Sequence, residues 1–135
     1  MTNPWSSWTP VLKVADARAS QQFYCDVLGF EKNWEHQFQE DWPLYMSVSR
    51  DSVTLHLSEH GEEPTAITLV VGVEDVDRTY EEIRARGFEP EGPPENRPYG
   101  TRDFAFPDPD GHRLVVSMPL SNFKEAEGRT MEDDR

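Results

Sequence analysis

One cysteine, Cys25, stands in the 135 residues. That excludes an internal disulfide and fits a reducing compartment, with Cys25 read as a small apolar residue. No run of 18 or more apolar residues occurs, so no membrane span is expected. Residues 1–10 hold two tryptophans and no basic stretch, unlike a signal peptide. The expected location is cytoplasmic, with no membrane partner. Basic residues are scarce: 13 Lys and Arg face 26 Asp and Glu, a formal charge of −13. Such a surface repels polyanions at long range, which makes nucleic acid a poor partner. It favours a cationic small molecule, although an acidic balance also simply keeps a protein soluble. There is no G-x-S-x-G elbow for a nucleophile and no glycine-rich phosphate loop, since Gly87 and Gly111 are single turn glycines.

The length and a hydrophobic share of 36% suit one core and leave a second independent one unsupported. Within that length the chain repeats itself. The apolar run from Trp8 to Val14 leads to Asp16, a helical pattern at Ala19, Phe23, Val27 and Leu28, and a stop at Gly29-Phe30-Glu31. The run from Ala66 to Val73 leads to Asp75, then Val76, Tyr80 and Ile83 at helical spacing, and a stop at Gly87-Phe88-Glu89. Asp75 lies 59 residues after Asp16, and Gly87 lies 58 after Gly29. Asp16 and Asp75 suit helix N-caps, and the glycines suit the left-handed turn that ends a helix.

A hairpin signal follows each helix. Leu44 to Val48 and Val53 to Ser58 flank the turn Ser49-Arg50-Asp51-Ser52, and Asp103 to Phe106 and Arg113 to Met118 flank Pro107-Asp108-Pro109-Asp110-Gly111. The unit is βαβββ, used twice, an α+β architecture. The expected domain spans residues 1–120, with repeat one at 8–59, repeat two at 66–119 and a polar tail at 121–135 that is expected to be frayed.

Alternation across strands assigns faces. Val53, Leu55 and Leu57 take the core and leave Thr54, His56 and Ser58 on the other side. Burying Leu44, Met46 and Val48 leaves Tyr45 and Ser47 there; burying Phe104 and Phe106 leaves Asp103 and Ala105; burying Leu114, Val116 and Met118 leaves Val115 and Ser117. Two such faces looking at each other would form a polar and aromatic cup.

Asp16-Ala17-Arg18-Ala19-Ser20-Gln21-Gln22-Phe23-Tyr24, Leu28-Gly29-Phe30 and Asp108-Pro109-Asp110-Gly111-His112, within a duplicated βαβββ pattern, resemble the glyoxalase, bleomycin-resistance and dioxygenase superfamily, the vicinal oxygen chelate proteins. The resemblance covers about residues 8 to 119. Val53 to His60 and Arg97 to Phe104 are most similar to the antibiotic-binding bleomycin-resistance branch, with Tyr99 where that branch usually has Trp. The resemblance implies a cup-shaped sheet and a homodimer with ligand grooves at its interface, which Trp5 and Trp8 would help cover. It also implies that enzymes of the superfamily would hold a divalent metal at the positions of Thr9, His56, Thr68 and Val115. Thr9 to Thr68 and His56 to Val115 are both 59 residues apart, as the repeat requires.

Only His56 among those four is a good ligand, and a mononuclear site needs three or four protein donors. No metal or other cofactor is therefore expected. His56 and His60 do not rescue it, because four residues of strand span about 13 Å. His36, in an aromatic loop, and His112, in a turn, are expected to be solvent-exposed. Aromatic surface remains. Trp34, Phe38, Trp42 and Tyr45 gather after the first helix, Tyr99 precedes a strand, and Glu35, Glu40, Asp41 and Asp103 would attract a positive group. The expected ligand-binding set is Trp34, His36, Phe38, Trp42, Tyr45, Ser47, His56, Tyr99, Arg102 and Asp103, with no catalytic residue assigned. The leading reading is a metal-free protein that sequesters a large aromatic or cationic natural product of the bleomycin type. The alternatives are an enzyme, either of the glyoxalase or dioxygenase kind or a metal-independent isomerase or cyclase with His56 as acid/base, and an interaction module whose cup is filled by its own side chains.

Overall fold

The computed structural model describes residues 2–62 and 65–122. It divides into two units, Met1–Thr65 and Ala66–Arg135. In the first, β1 (Val11–Lys13) precedes α1 (Ala17–Gln22), which runs into a π-helical turn (Phe23–Val27) and then β2 (Glu31–His36), β3 (Tyr45–Arg50) and β4 (Val53–Ser58). The sheet order is β1-β4-β3-β2, with β1 parallel to β4 and the other pairs antiparallel. The second unit repeats it: β5 (Thr68–Gly72), α2 (Val76–Ala85), β6 (Glu95–Asn96), β7 (Thr101–Pro107) and β8 (Arg113–Pro119), in the order β5-β8-β7-β6. Val11 pairs with His56 and Val70 with Val115, so the 59-residue offset holds at the level of strand register. The α+β duplication read from the residues is thus the observed fold. Residues 123–135, most of the expected tail, lie outside the described residues.

The first helix starts where Asp16, in extended conformation, accepts the Arg18 and Ala19 N–H groups at 3.0 and 3.2 Å. Glu59 adds a second cap by accepting the Ala17 N–H at 2.8 Å. Its other oxygen accepts the Leu44 N–H at 2.9 Å, so one carboxylate joins the helix entry to the entry of β3. The buried stripe is Ala17, Ser20, Tyr24 and Leu28; Leu28 is buried as expected, while Ala19 and Phe23 give way to their neighbours Ser20 and Tyr24 and Val27 is half-buried. Tyr24 is fully buried and packs edge-on against Phe30, so a residue that looks amphipathic in sequence does the work of a core aromatic.

The π turn explains a discrepancy in the repeat. Thirteen residues separate Asp16 from Gly29, but twelve separate Asp75 from Gly87. At the end of α2 the Phe88 N–H donates to Ile83 O and the Gly87 N–H to Arg84 O. At the end of the first helix the corresponding bonds run from Phe30 to Tyr24 O and from Gly29 to Cys25 O, each one residue wider. The extra residue is taken up in the helix, and both glycines still reach the left-handed region, at φ 76° and 94°.

Leu12, Val14, Met46, Val48, Leu55 and Leu57 are buried on one side of the first sheet, and Phe104, Phe106, Leu114, Val116 and Met118 on one side of the second. In the second unit Tyr80 and Phe88 meet Phe104 and Phe106 edge-on. Three expectations need correction. The strand expected from Trp8 begins only at Val11, with Trp5 and Trp8 exposed and Pro10 O accepting the His56 N–H at 2.9 Å. His36 lies in β2 rather than in a loop, although it is exposed as expected. His112 is 1% exposed, because the turn folds over it: Asp108 Oδ1 accepts the Asp110 and His112 N–H groups, and His112 Nδ1 accepts the Ile67 N–H at 3.1 Å. Among the described residues no helix is long and apolar enough to cross a membrane.

Candidate functional site

The side of the first sheet turned away from α1 carries the strongest concentration of chemistry. Across β3 and β4, Ser47 stands opposite His56, and Tyr45 opposite Ser58. Strand β2 completes these rows through an irregularity. Lys32 pairs with Val48 and Trp34 with Ser47, so Asn33 is an extra residue, a β-bulge. Plain alternation from Glu31 would have sent Trp34 and His36 to the helix side. The bulge keeps them opposite Ser47 and Tyr45 instead. Asn33 is pinned in place: its Nδ2 donates to Ser47 Oγ and its Oδ1 accepts from Ser49 Oγ, both at 3.1 Å.

The result is an aromatic cluster. The Trp34 and Tyr45 rings are nearly parallel, 8° apart with centroids at 5.9 Å, and the His56 ring sits edge-on to both, at 5.1 and 5.3 Å. Tyr45 Oη and His56 Nδ1 are 2.8 Å apart, a hydrogen bond. The His60 ring flanks Tyr45 from the end of β4, at 6.3 Å. A second run of rings continues from His36 to Phe38 at 4.7 Å and from Phe38 to Trp42 at 6.2 Å. The loop bearing Phe38 and Trp42 is closed by Gln37 Nε2 donating to Trp42 O and by Asp41 in the left-handed region at φ 73°. Trp34, Phe38 and Trp42 are all exposed, while Tyr45 and His56 are half-buried and Ser47 is buried. Seven of the ten expected ligand residues, Trp34, His36, Phe38, Trp42, Tyr45, Ser47 and His56, thus belong to this face and its adjoining loop.

The other three belong to the second unit and are differently placed. Tyr99 is exposed in the turn before β7. Asp103 is buried, accepts Arg97 Nε at 2.7 Å and Thr101 Oγ1 at 3.1 Å, and raises the Arg97 pKa through that bond. Arg102, expected in the ligand-binding set, shares the helix side with Phe104 and Phe106. It pairs with buried Met118, and its guanidinium binds both oxygens of Asp77 on α2 at 2.8 and 2.9 Å, fastening the helix to the sheet. Glu35 is likewise spoken for. It lies opposite Met46 on the helix side, bound by both Arg18 nitrogens and by Lys32. Those hydrogen bonds pull its pKa from 4.5 down to about 2.

The donor set does not fit a metal centre. Of Thr9, His56, Thr68 and Val115, His56 alone offers a good donor atom, and its Nδ1 is engaged by Tyr45. No three His, Cys, Asp or Glu side chains among the described residues are grouped to hold an ion.

Residues 5–119 match the family described as Glyoxalase superfamily protein. The chain belongs to the glyoxalase superfamily. A curated relative, the uncharacterized protein YraH of Bacillus subtilis (strain 168), is 31% identical over 117 residues, covering 77% of this chain and 90% of its own. Among solved structures, TnmS3, an antibiotic binding protein from Streptomyces sp. CB03234, superimposes with a TM-score of 0.72 at 22% identity, over 88% of this chain and 99% of that one. Lactoylglutathione lyase from Agrobacterium tumefaciens gives 0.67 at 20% identity, over 86% and 95%. Identities this low establish the glyoxalase-superfamily fold and leave function to the residues.

Two outcomes are expected. Deleting Asn33 leaves Trp34 following Lys32 in plain alternation, still opposite Ser47, so the near-ultraviolet circular dichroism of the Trp34–Tyr45 stack persists. Asn33→Val keeps the extra residue but removes both amide bonds, costs about 1–2 kcal/mol and weakens that signal. Loss of the signal in the deletion would show that the bulge does more than phase the strand. Glu35 is the second case. Its folded pKa lies below its ordinary value, so its stabilisation is full above about pH 4.5 and is lost as pH falls towards about 2. The urea midpoint of the wild type should exceed that of Glu35→Gln at pH 6 and converge with it near pH 2; a constant gap would mean that the ion pair contributes nothing.

Proposed function

We propose that this glyoxalase-superfamily protein is a metal-independent binding protein that confers self-resistance by sequestering a large aromatic natural product, an antibiotic of the kind bleomycin-resistance proteins hold. The observation that carries the reading is the exposed Trp34 stacked on Tyr45, beside His56, on a sheet face without a metal-binding set. A flat ring laid on such a surface gains about 0.5–1.5 kcal/mol per aromatic contact beyond burial. Covering about 200 Å² of apolar surface adds about 5 kcal/mol, before the cost of immobilising the ligand. Binding is stoichiometric: the compound is withheld from its target and no bond is made or broken. The antibiotic-binding description of TnmS3 supports this reading, and the free Cys25 is consistent with work in the cytoplasm.

A second reading, an enzyme acting on a small molecule, is favoured by one observation. The Tyr45–His56 hydrogen bond couples two groups able to carry a proton, on a face that would receive substrate.

Titration of tryptophan fluorescence with bleomycin-like, mitomycin-like and enediyne-like compounds should saturate at one ligand per chain for at least one class. Trp34→Ala should weaken that binding by about tenfold or more, which is about 1.4 kcal/mol. A flat response across the panel rejects sequestration. Conversion of the ligand, or stoichiometric metal in protein purified without chelators, supports the enzyme.

We also propose a homodimer, as the bleomycin-resistance resemblance implies. Exposed Val11 on β1, Val70 on β5 and Ile67 beside it offer apolar surface for a second copy. Light scattering at micromolar concentration should return twice the chain mass, and a monomer removes the proposal.

A further inference from the structure

We infer that the ligand of the Trp34–Tyr45–His56 face is a flat ring system that is neutral or anionic and bears oxygen acceptors, rather than a cation. The inference rests on the small-molecule binding reading and specifies its chemistry. It runs against the formal charge of −13, because that charge is not where the rings are. Beside a row of Thr54, Ser49 and Glu31, the two cross-strand rows on this side that carry the rings are Val11, His56, Ser47 and Trp34, then Lys13, Ser58, Tyr45 and His36. Neither contains a carboxylate.

Each acid that sequence proximity would bring to the rings is accounted for. Glu35 points to the helix side and is held by Arg18 and Lys32. Glu59 spends both oxygens on backbone N–H groups. Glu31 shares the ring side in the neighbouring row, opposite Ser49, about 7 Å along the sheet from the row of Trp34, and is exposed there. Glu40 and Asp41 are exposed in the loop after His36, where water and salt screen them. An ammonium group pressed on the rings would gain a cation–π contact but lose water without a counter-ion in their own rows. The face of Trp34 that stacks on Tyr45 is also closed to it.

Donors, by contrast, are built in. If the Tyr45 hydroxyl donates to His56 Nδ1, the neutral imidazole carries its proton on Nε2, free for a ligand oxygen. If Nδ1–H donates to the phenol, the Tyr45 O–H is the free donor. Either tautomer therefore offers one proton beside the rings to a carbonyl, ether or phenolate oxygen. Lys13, the cation in the rows, donates to the Glu59 carbonyl on the same side.

Three planar three-ring probes test this by fluorescence titration near neutral pH and at physiological salt: xanthone, which is neutral with carbonyl and ether oxygens; 2-anthracenecarboxylate, which is anionic; and proflavine, which is cationic. The expected result is that xanthone and the carboxylate bind the full chain at least about tenfold more tightly than proflavine. Replacing both Tyr45 and His56 by Phe keeps the rings, removes the donors and should reduce that preference to less than about threefold. The wild-type ranking decides the matter even if the double variant fails to fold. Tighter binding of proflavine than of the other two overturns the inference and leaves aromatic sequestration standing. No binding by any probe overturns both.

Discussion

The aromatic face of the first unit depends on the phase of one strand. In β2 a single extra residue, Asn33, lets Lys32 and Glu35 stay on the helix side while Asn33, Trp34 and His36 share the other. Were Asn33 present but paired in plain alternation, Trp34 would lie opposite Met46, over the core, and the plate formed with Tyr45 would not exist. The two hydroxyls that hold the Asn33 amide, from Ser47 and Ser49, project from the strand that the bulge opposes. A bulge so anchored is a built feature, consistent with the way bulges re-aim side chains beside functional sites. It also frees Glu35 to reach Arg18 on α1, so one irregularity both assembles the rings and removes a carboxylate from them.

The same economy governs charge. An acidic chain gives the impression of an acidic site, yet several carboxylates close in sequence to aromatic residues are consumed structurally. Glu35 is neutralised by two cations, Asp103 by Arg97 with a hydroxyl, and Asp77 by Arg102. The Arg18–Glu35 pair, the most exposed of the three, adds little stability, as exposed ion pairs do, and what all three supply is geometry. Arg102 and Asp77 tie β7 to α2, and Glu59 ties the start of α1 to the start of β3. The net charge therefore describes the solvent-facing surface, where it favours solubility, and says little about the ligand.

The duplicated fold was legible because it is written in local rules: an Asp cap, an apolar helical stripe, a glycine stop and a turn rich in Pro and Asp. Even the mismatch of one residue between the repeats was visible, although only the widened bonds of the π turn show where the extra residue goes. The facing of β3 and β4 was legible for the same reason, since strict alternation applies there. What was hidden is non-local. Asn33 carries no mark of a bulge beyond being a poor strand former. The burial of His112 involves the Ile67 N–H, 45 residues away in sequence, and the partner of Arg102, Asp77, is 25 residues away, although alternation with Phe104 and Phe106 by itself puts Arg102 on the helix side. Alternation places a side chain only while the strand is regular, and turn propensity says nothing about what later packs over the turn.

The Tyr45–His56 pair is where binding and chemistry part company. A general base must meet the proton it removes with an unoccupied lone pair of suitable basicity. If the phenol donates to Nδ1, the imidazole meets a ligand through Nε2–H and has no free lone pair left, so it acts as a donor and not as a base. Only with the proton on Nδ1 does Nε2 become an acceptor, and then the phenol holds the donor. The pair thus hands a ligand one donor and one acceptor in fixed register beside a stacked indole, which suffices for orienting a flat molecule. Turning it into a catalyst would require a further group to stabilise the charge left behind. Neither of the two rows that carry the rings offers a carboxylate for a positive charge. Recognition asks less of this arrangement than catalysis does, which is the physical ground for proposing binding first.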